Sequence, residues 1–177
     1  MKARSAMTRR CIGANTLKNM NKQHQYSLTV KWTGNKGEGT SSYRSYDRSH
    51  VVAAENKPEI LGSSDAAFRG DETRHNPEDL LVASVSACHL LSYLHLCAVA
   101  GVVVVDYTDN AIGTMVETAD GGGHFTEVML RPMVTVTDKS MIEKARELHE
   151  KAHKLCFIAS SCNFPIHHEP IIQAAGG

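Results

Sequence analysis

A chain of 177 residues, 42% of them hydrophobic, is long enough to bury a core and asks for no second domain. Nineteen Lys and Arg balance nineteen Asp and Glu, which excludes the global field that draws a protein to nucleic acid or an anionic membrane. Five cysteines form an odd set without tight spacings, which argues against a secreted disulfide scaffold and for a reducing, intracellular compartment.

The balance hides an asymmetry. Residues 1–24 hold six basic side chains (Lys2, Arg4, Arg9, Arg10, Lys18, Lys22), and the first acidic residue is Glu38, so the rest carries thirteen basic against nineteen acidic residues. A basic, acid-free head with Ser and Thr fits either an organellar transit peptide or a disordered arm, and it lacks the long apolar stretch of a secretory signal. The expected domain is therefore 25–177, cytoplasmic, or mitochondrial if the head directs import.

Residues 26–33 alternate apolar and polar, Gly34-Asn35-Lys36-Gly37 supplies turn chemistry, and residues 40–46 alternate again, which predicts a β-hairpin. A third strand is expected over 49–54. Residues 57–74 mix Pro58, Gly62, Gly70 and many charges, and read as a long loop. At Asn76-Pro77-Glu78-Asp79 a cap, a first-turn proline and two carboxylates at the positive dipole end coincide, so a helix should run to about Val99 and stop at Gly101. Two strands, over 102–117 and 125–136, flank the Gly121-Gly122-Gly123 turn. Asp138 then caps a second helix to about Leu155, with Met141, Ala145, Leu148, Ala152 and Leu155 at helical spacing. Residues 164–173, with Pro165 and Pro170, suit a last edge strand. This order predicts an α+β fold rather than a βαβ alternation.

Residues 80–105 contain no Asp, Glu, Lys or Arg and are long enough to cross a bilayer. Ser84, Ser86, His89, Ser92 and His95, the break at Gly101 and the β-branched run that follows favour a buried helix and strand instead.

Cys88 lies about three turns into the first helix and Cys156 at the end of the second. Free Cys is commonly a small buried hydrophobe, and either residue alone is read that way. As a pair they hold the minimum inventory for peroxide chemistry: one thiol attacks the O–O bond and becomes a sulfenic acid, and a second condenses with it. Neither sits at a helix N-terminus, so ionising Cys88 requires a cation, for which an arginine held by a carboxylate is the obvious source. Glu78 lies ten residues before Cys88, nearly three turns away on a similar face.

Asn76-Pro77-Glu78-Asp79-Leu80-Leu81 leading to Ser86-Ala87-Cys88, with Ala152-His153-Lys154-Leu155-Cys156 sixty-eight residues later, resembles the OsmC/Ohr family of osmotically inducible and organic hydroperoxide resistance proteins. The likeness spans residues 26–172. It implies an intertwined homodimer with its sites at the interface, a peroxidatic Cys88, a resolving Cys156 and an orienting Glu78. The family's arginine is expected before the NPE motif. Arg69 is favoured there, with Arg74 beside it and Arg44 in the hairpin as alternatives. The family has a Pro and a Ser shortly after its resolving cysteine, where this chain has Phe157-Ile158-Ala159-Ser160-Ser161, which suggests an OsmC-like branch. Phe68, Leu91, Phe157 and Ile158 favour an organic hydroperoxide over hydrogen peroxide. No prosthetic group is expected; a lipoyl or thioredoxin-type dithiol would restore the enzyme.

Three other readings remain. Cys88, Ser92 and His95 share a helical face, and His153 and His167-His168-Glu169 add metal-ligand chemistry, but no CxxC or HExxH motif occurs. Cys97 and Cys162 read as packing residues, with Cys162 an alternative resolving partner. A dimeric small-molecule binding protein that keeps the shape without the chemistry is the non-enzymatic alternative. Nucleic-acid binding has little support once the basic head is set aside.

Overall fold

The computed structural model describes residues 22–176. The basic head assigned to 1–24 falls outside the described residues except for its last three, which continue into an irregular lead up to residue 28. An antiparallel sheet follows, in the order β1 (Thr29–Trp32), β2 (His50–Ala53), β3 (Ile60–Gly62). Helix α1 (Pro77–Val99) comes next. Strands β4 (Val104–Asp109), β5 (Ile112–Glu117), β6 (Gly123–Leu130) and β7 (Pro132–Val136) lead to α2 (Ile142–Leu155), and β8 (Ile166–His168) and β9 (Ile171–Ala174) close the chain. These build two more sheets, β4-β7-β9 and β5-β6-β8. The α+β class expected from the sequence is the class observed.

The hairpin forms differently from its prediction. Residues 40–46 make no strand; β1 pairs with β2, Trp32 facing His50, and only an isolated bridge joins Asn35 to Tyr46. Short polar side chains capture the backbone there, a known competitor of ladder pairing. Asn35 Oδ1 accepts from Gly37 N–H and Gly39 N–H at 2.9 and 3.0 Å, and Ser45 Oγ contacts Gly39 O, Ser42 O and Ser41 Oγ. Arg48 then lies over the rings of Tyr43 and Tyr46, at 4.1 and 4.4 Å, which suits an aromatic turn better than a flat strand. The expected long loop over 57–74 holds β3 and a short 3-10 turn, Ala66–Phe68, whose cap Asp65 accepts from Ala67 N–H at 2.7 Å.

Helix α1 starts where the sequence placed it. Asp79 N–H donates to Asn76 Oδ1 at 2.7 Å and Asp79 Oδ2 accepts from Asn76 N–H, a reciprocal capping box with Pro77 in the first turn. The chain leaves the helix through Ala100 and turns at Gly101, whose φ of +72° suits glycine. By length and composition α1 could cross a membrane. In this fold its stripe Val85, His89, Tyr93, Cys97 is buried at i, i+4 spacing.

The two long strands each break in two. Pro132 has no N–H, and the preceding Arg131 N–H leaves the ladder to donate to Asp109 Oδ1 at 2.7 Å. The hairpin thus bends into pairs β5–β6 and β4–β7. The C-terminal edge strand breaks in register, β8 lying parallel to β6 and β9 parallel to β7. Asp138 caps a 3-10 turn, Lys139–Met141, before α2 begins at Ile142, three residues later than its cap suggested. Gly113 on β5 lets α1 lie close, since a Cβ there would meet Val82 Cγ2 at 2.6 Å and Phe125 Cε1 at 2.7 Å.

Two apolar clusters result. One joins Tyr93, Cys97, Val134, Val136, Leu148 and their neighbours; the other joins Val85, Val128, Leu130 and Ile166. Between them lie His89 and His149, 1% and 0% exposed. The N-terminal sheet is unlike the rest: Leu28, Val30 and Trp32, alternate residues on one face, are 60%, 60% and 42% exposed.

Asn76→Ala removes the cap and should cost about 1 kcal/mol, or about 2–4 °C in Tm. An unchanged melting curve would contradict the role given to Asn76. The buried histidines make a second prediction. Burial, with His168 and His153 nearby, lowers the pKa of His89 to about 4; burial, with His89, His168 and Arg146, lowers that of His149 to about 3. Unfolded histidine takes up a proton near pH 6.5, so stability is full above that pH and falls as pH drops toward the folded values, by roughly 3 kcal/mol for the first proton. Urea midpoints should decline from pH 6.5 downward; midpoints flat between pH 6.5 and 5 would contradict a buried neutral pair.

Candidate active site

The fold brings Cys88 and Cys156 together. Cys88 occupies the flank of α1 that faces the end of α2 and is half-buried; Cys156, the C-cap of α2, is 1% exposed. Both are free thiols. After α2 the backbone at Cys156 becomes extended and a short 3-10 turn, Ala159–Ser161, wraps back over it. Ala159 N–H points at Cys156 Sγ at 3.3 Å, and Ser160 donates from both N–H and Oγ to Cys156 O at 3.0 Å. Burial, and secondarily the adjoining Cys88 thiol, push the Cys156 pKa up to about 11, while the Ala159 N–H works in the opposite sense. At neutral pH Cys156 is therefore a protonated, enclosed thiol, and Cys88 is the member of the pair open to a reactant.

Glu78 is half-buried in the first turn of α1 and helps line a groove of about 850 Å³. Asp65, Asp79, Asp109, Ser86, Leu90 and Phe125 also line it, but Cys88 does not. Ten residues of helix leave Glu78 and Cys88 roughly 80° apart around the axis, so the similar face expected from the sequence divides into two flanks of α1. Arg69 stands elsewhere again. It is exposed in the left-handed conformation at φ +64°, its guanidinium 5.9 Å from the Tyr43 ring centre. Arg74 pairs with Asp71 at 3.2 Å. Among the described residues no ion pair joins Glu78 to an arginine. One chain thus unites the two sulfurs and leaves the carboxylate and the arginines apart.

The histidines were the part that pattern reading overlooked. His89 Nε2 and His149 Nδ1 are 2.9 Å apart, the two rings lying edge to edge and nearly coplanar, their centres 5.3 Å apart at 9°. His168 of β8 lies 5.5 Å from His89 and 5.6 Å from His153. The signal was present: His89 continues the four-residue stripe from Val85 to Tyr93, and His149 falls between Ala145 and Ala152 on the apolar face of α2. Among the described residues no group of three or more His, Cys, Asp or Glu is arranged to hold a metal, and His95 is exposed. Cys97 packs in the core beside Tyr93, and Cys162 lies half-buried against the second cluster.

Comparison with known proteins agrees with this architecture. Residues 70–170 match the family model for OsmC-like proteins. An OsmC-like protein of unknown function from Vibrio cholerae is 30% identical, with a TM-score of 0.76 over 84% of this chain and 100% of that one. An organic hydroperoxide resistance protein from Elizabethkingia anophelis shares 22% identity and a TM-score of 0.61, over 86% and 99% of the two chains. A putative organic hydroperoxide resistance protein from Vibrio cholerae, with captopril in one of its active sites, also shares 22%, with a TM-score of 0.57 over 88% and 96%. No curated protein matches the chain. The family model spans more than half of the chain and the 30% relative is covered end to end: this chain belongs to the OsmC-like protein family.

Proposed function

We infer that the protein is a thiol peroxidase for organic hydroperoxides, with Cys88 as the attacking thiol and Cys156 as the resolving one. The observation that carries this reading is the asymmetric thiol pair: sulfurs sixty-eight residues apart in sequence meet, one accessible and one enclosed and held protonated. The Cys88 thiolate attacks an oxygen of the hydroperoxide, the O–O bond breaks, and the leaving alkoxide takes a proton to become an alcohol. Cys88 is left as a sulfenic acid. Cys156 attacks that sulfur, a disulfide forms and water leaves. As Cys156 gives up its proton, the Ala159 N–H aimed at its sulfur at 3.3 Å favours the developing charge. A dithiol of lipoyl or thioredoxin type then exchanges with the disulfide and restores both thiols. Each step uses the chain's own sulfur, so no prosthetic group enters.

The enzyme works as a homodimer in this reading. The apolar face of the N-terminal sheet, Leu28, Val30 and Trp32, is exposed, as are Leu91, 66%, and Phe157, 84%, near the thiols. A second copy covering these surfaces would give an arginine of one subunit access to the Cys88 of the other, with Glu78 to orient it; Arg69 is the favoured residue, ahead of Arg74 and Arg44. The same apolar side chains offer the alkyl part of a hydroperoxide a place to bury. The named hydroperoxide resistance relatives support this substrate class.

The test is turnover of cumene hydroperoxide and of hydrogen peroxide with excess dihydrolipoamide or dithiothreitol. Wild type should prefer the organic peroxide, and Cys88→Ser should lose on the order of a hundredfold or more in turnover. Cys156→Ser should stop multiple turnover. Slow turnover indifferent to Cys88→Ser would leave a binding protein on this fold.

A further inference from the structure

The buried histidines between α1 and α2 are costly. His89 Nδ1, His149 Nε2, His153 Nδ1 and His168 Nδ1 are all buried and have no hydrogen-bond partner among the described residues. Each such group costs about 1–3 kcal/mol relative to a satisfied one. An apolar pair of similar volume would pack between the two clusters without that cost. Their placement indicates what the polar pair contributes. Among the described residues, His89 to His149 is the one side-chain hydrogen bond between the two helices, at 2.9 Å. His89 adjoins Cys88 in sequence, and His149 lies two turns before Cys156 on the same helix. His149 is held at its edge by the hydrogen bond to His89 and on its face by Tyr93, one turn further along α1, stacked at 3.9 Å and 14°.

We propose that the His89–His149 pair is a positioning device, which fixes the rotation and axial register of α1 against α2 and so holds the Cys88 and Cys156 thiols in position to join. The proposal rests on the reading of those cysteines as a working pair. Dispersion between apolar faces tolerates small slides, whereas an in-plane hydrogen bond between two ring nitrogens is directional and is lost when a helix rotates by one residue or moves by one 1.5 Å step. The histidines touch no reacting atom and act only through the thiols. Tyr93 from α1 and His168 from β8 pack against the pair, Arg146 and His153 from α2 act on it electrostatically, Glu150 and His167 face His168, and Tyr107 from β4 packs on Tyr93.

Positioning and stability can be separated by experiment. Full-length protein is equilibrated with glutathione and glutathione disulfide; Cys88 and Cys156 give two electrons and two protons to one glutathione disulfide, which becomes two glutathiones. The equilibrium constant measures the effective concentration of one thiol toward the other. The variants are His89→Leu/His149→Leu, which removes the hydrogen bond with its unsatisfied nitrogens, and His89→Gln/His149→Asn, which keeps side-chain groups able to bond near the original atoms. The Leu pair should melt at or above the wild-type temperature while its constant falls tenfold or more, and the Gln/Asn pair should recover most of the wild-type constant. A Leu pair with an unchanged constant, or a Gln/Asn pair as weak as the Leu pair, would overturn the proposal. If the Leu pair fails to fold, the Gln/Asn constant alone decides in the same way. If wild type forms no Cys88–Cys156 disulfide, the reading of the thiol pair falls and the positioning role with it; if wild type forms it and the variants do so equally well, only the positioning role falls.

Discussion

The packing of α1 against α2 is the contact on which the rest of the structure depends. It brings together two cysteines sixty-eight residues apart, and it joins the two apolar clusters, because the α1 stripe from Val85 to Cys97 begins in one and ends in the other. The sheets serve the same contact. The bend at Arg131 and Pro132, repeated between β8 and β9, divides one long hairpin so that Val134 and Val136 meet one end of α1 while Val128 and Leu130 meet the other. Gly113 lets the N-terminal half of the helix come close.

Within that frame the two sulfurs differ because their surroundings differ. Cys156 is enclosed by the turn that follows α2, and burial keeps its proton on; Cys88 faces the same space from a helix flank that stays partly open. A pair in which one thiol is reachable and the other is protected suits sequential chemistry, first attack and then resolution, better than it suits a structural disulfide or a metal. The chain belongs to the OsmC-like family, and it leaves Glu78 apart from Arg69 and Arg74.

Much of this was legible in the sequence. The Asn76-Pro77-Glu78-Asp79 start and the Gly101 stop bounded α1 because capping and chain reversal are local chemistry. The two cysteines were recognisable from their spacing in a family pattern. Other features depend on tertiary partners. The bend at Arg131 needs the Asp109 carboxylate, twenty-two residues earlier, to take its N–H. Residues 40–46 alternate like a strand but lose the competition to their own serines and to Asn35. His89 and His149 were passed over because a histidine on an apolar face does not reveal its partner until the other helix arrives. Arg69, named for its place before the NPE motif, lies exposed beside Tyr43.

The central claim is that Cys88 reacts first and Cys156 second. It is tested most directly by peptide mapping after treatment with one equivalent of cumene hydroperoxide, on wild type and on Cys156→Ser in the presence of a sulfenic-acid trap. The account predicts a Cys88–Cys156 linked peptide in wild type and trapped sulfenic acid at Cys88 in the variant. Oxidation confined to Cys97, Cys156 or Cys162, with Cys88 left as a free thiol, would contradict it.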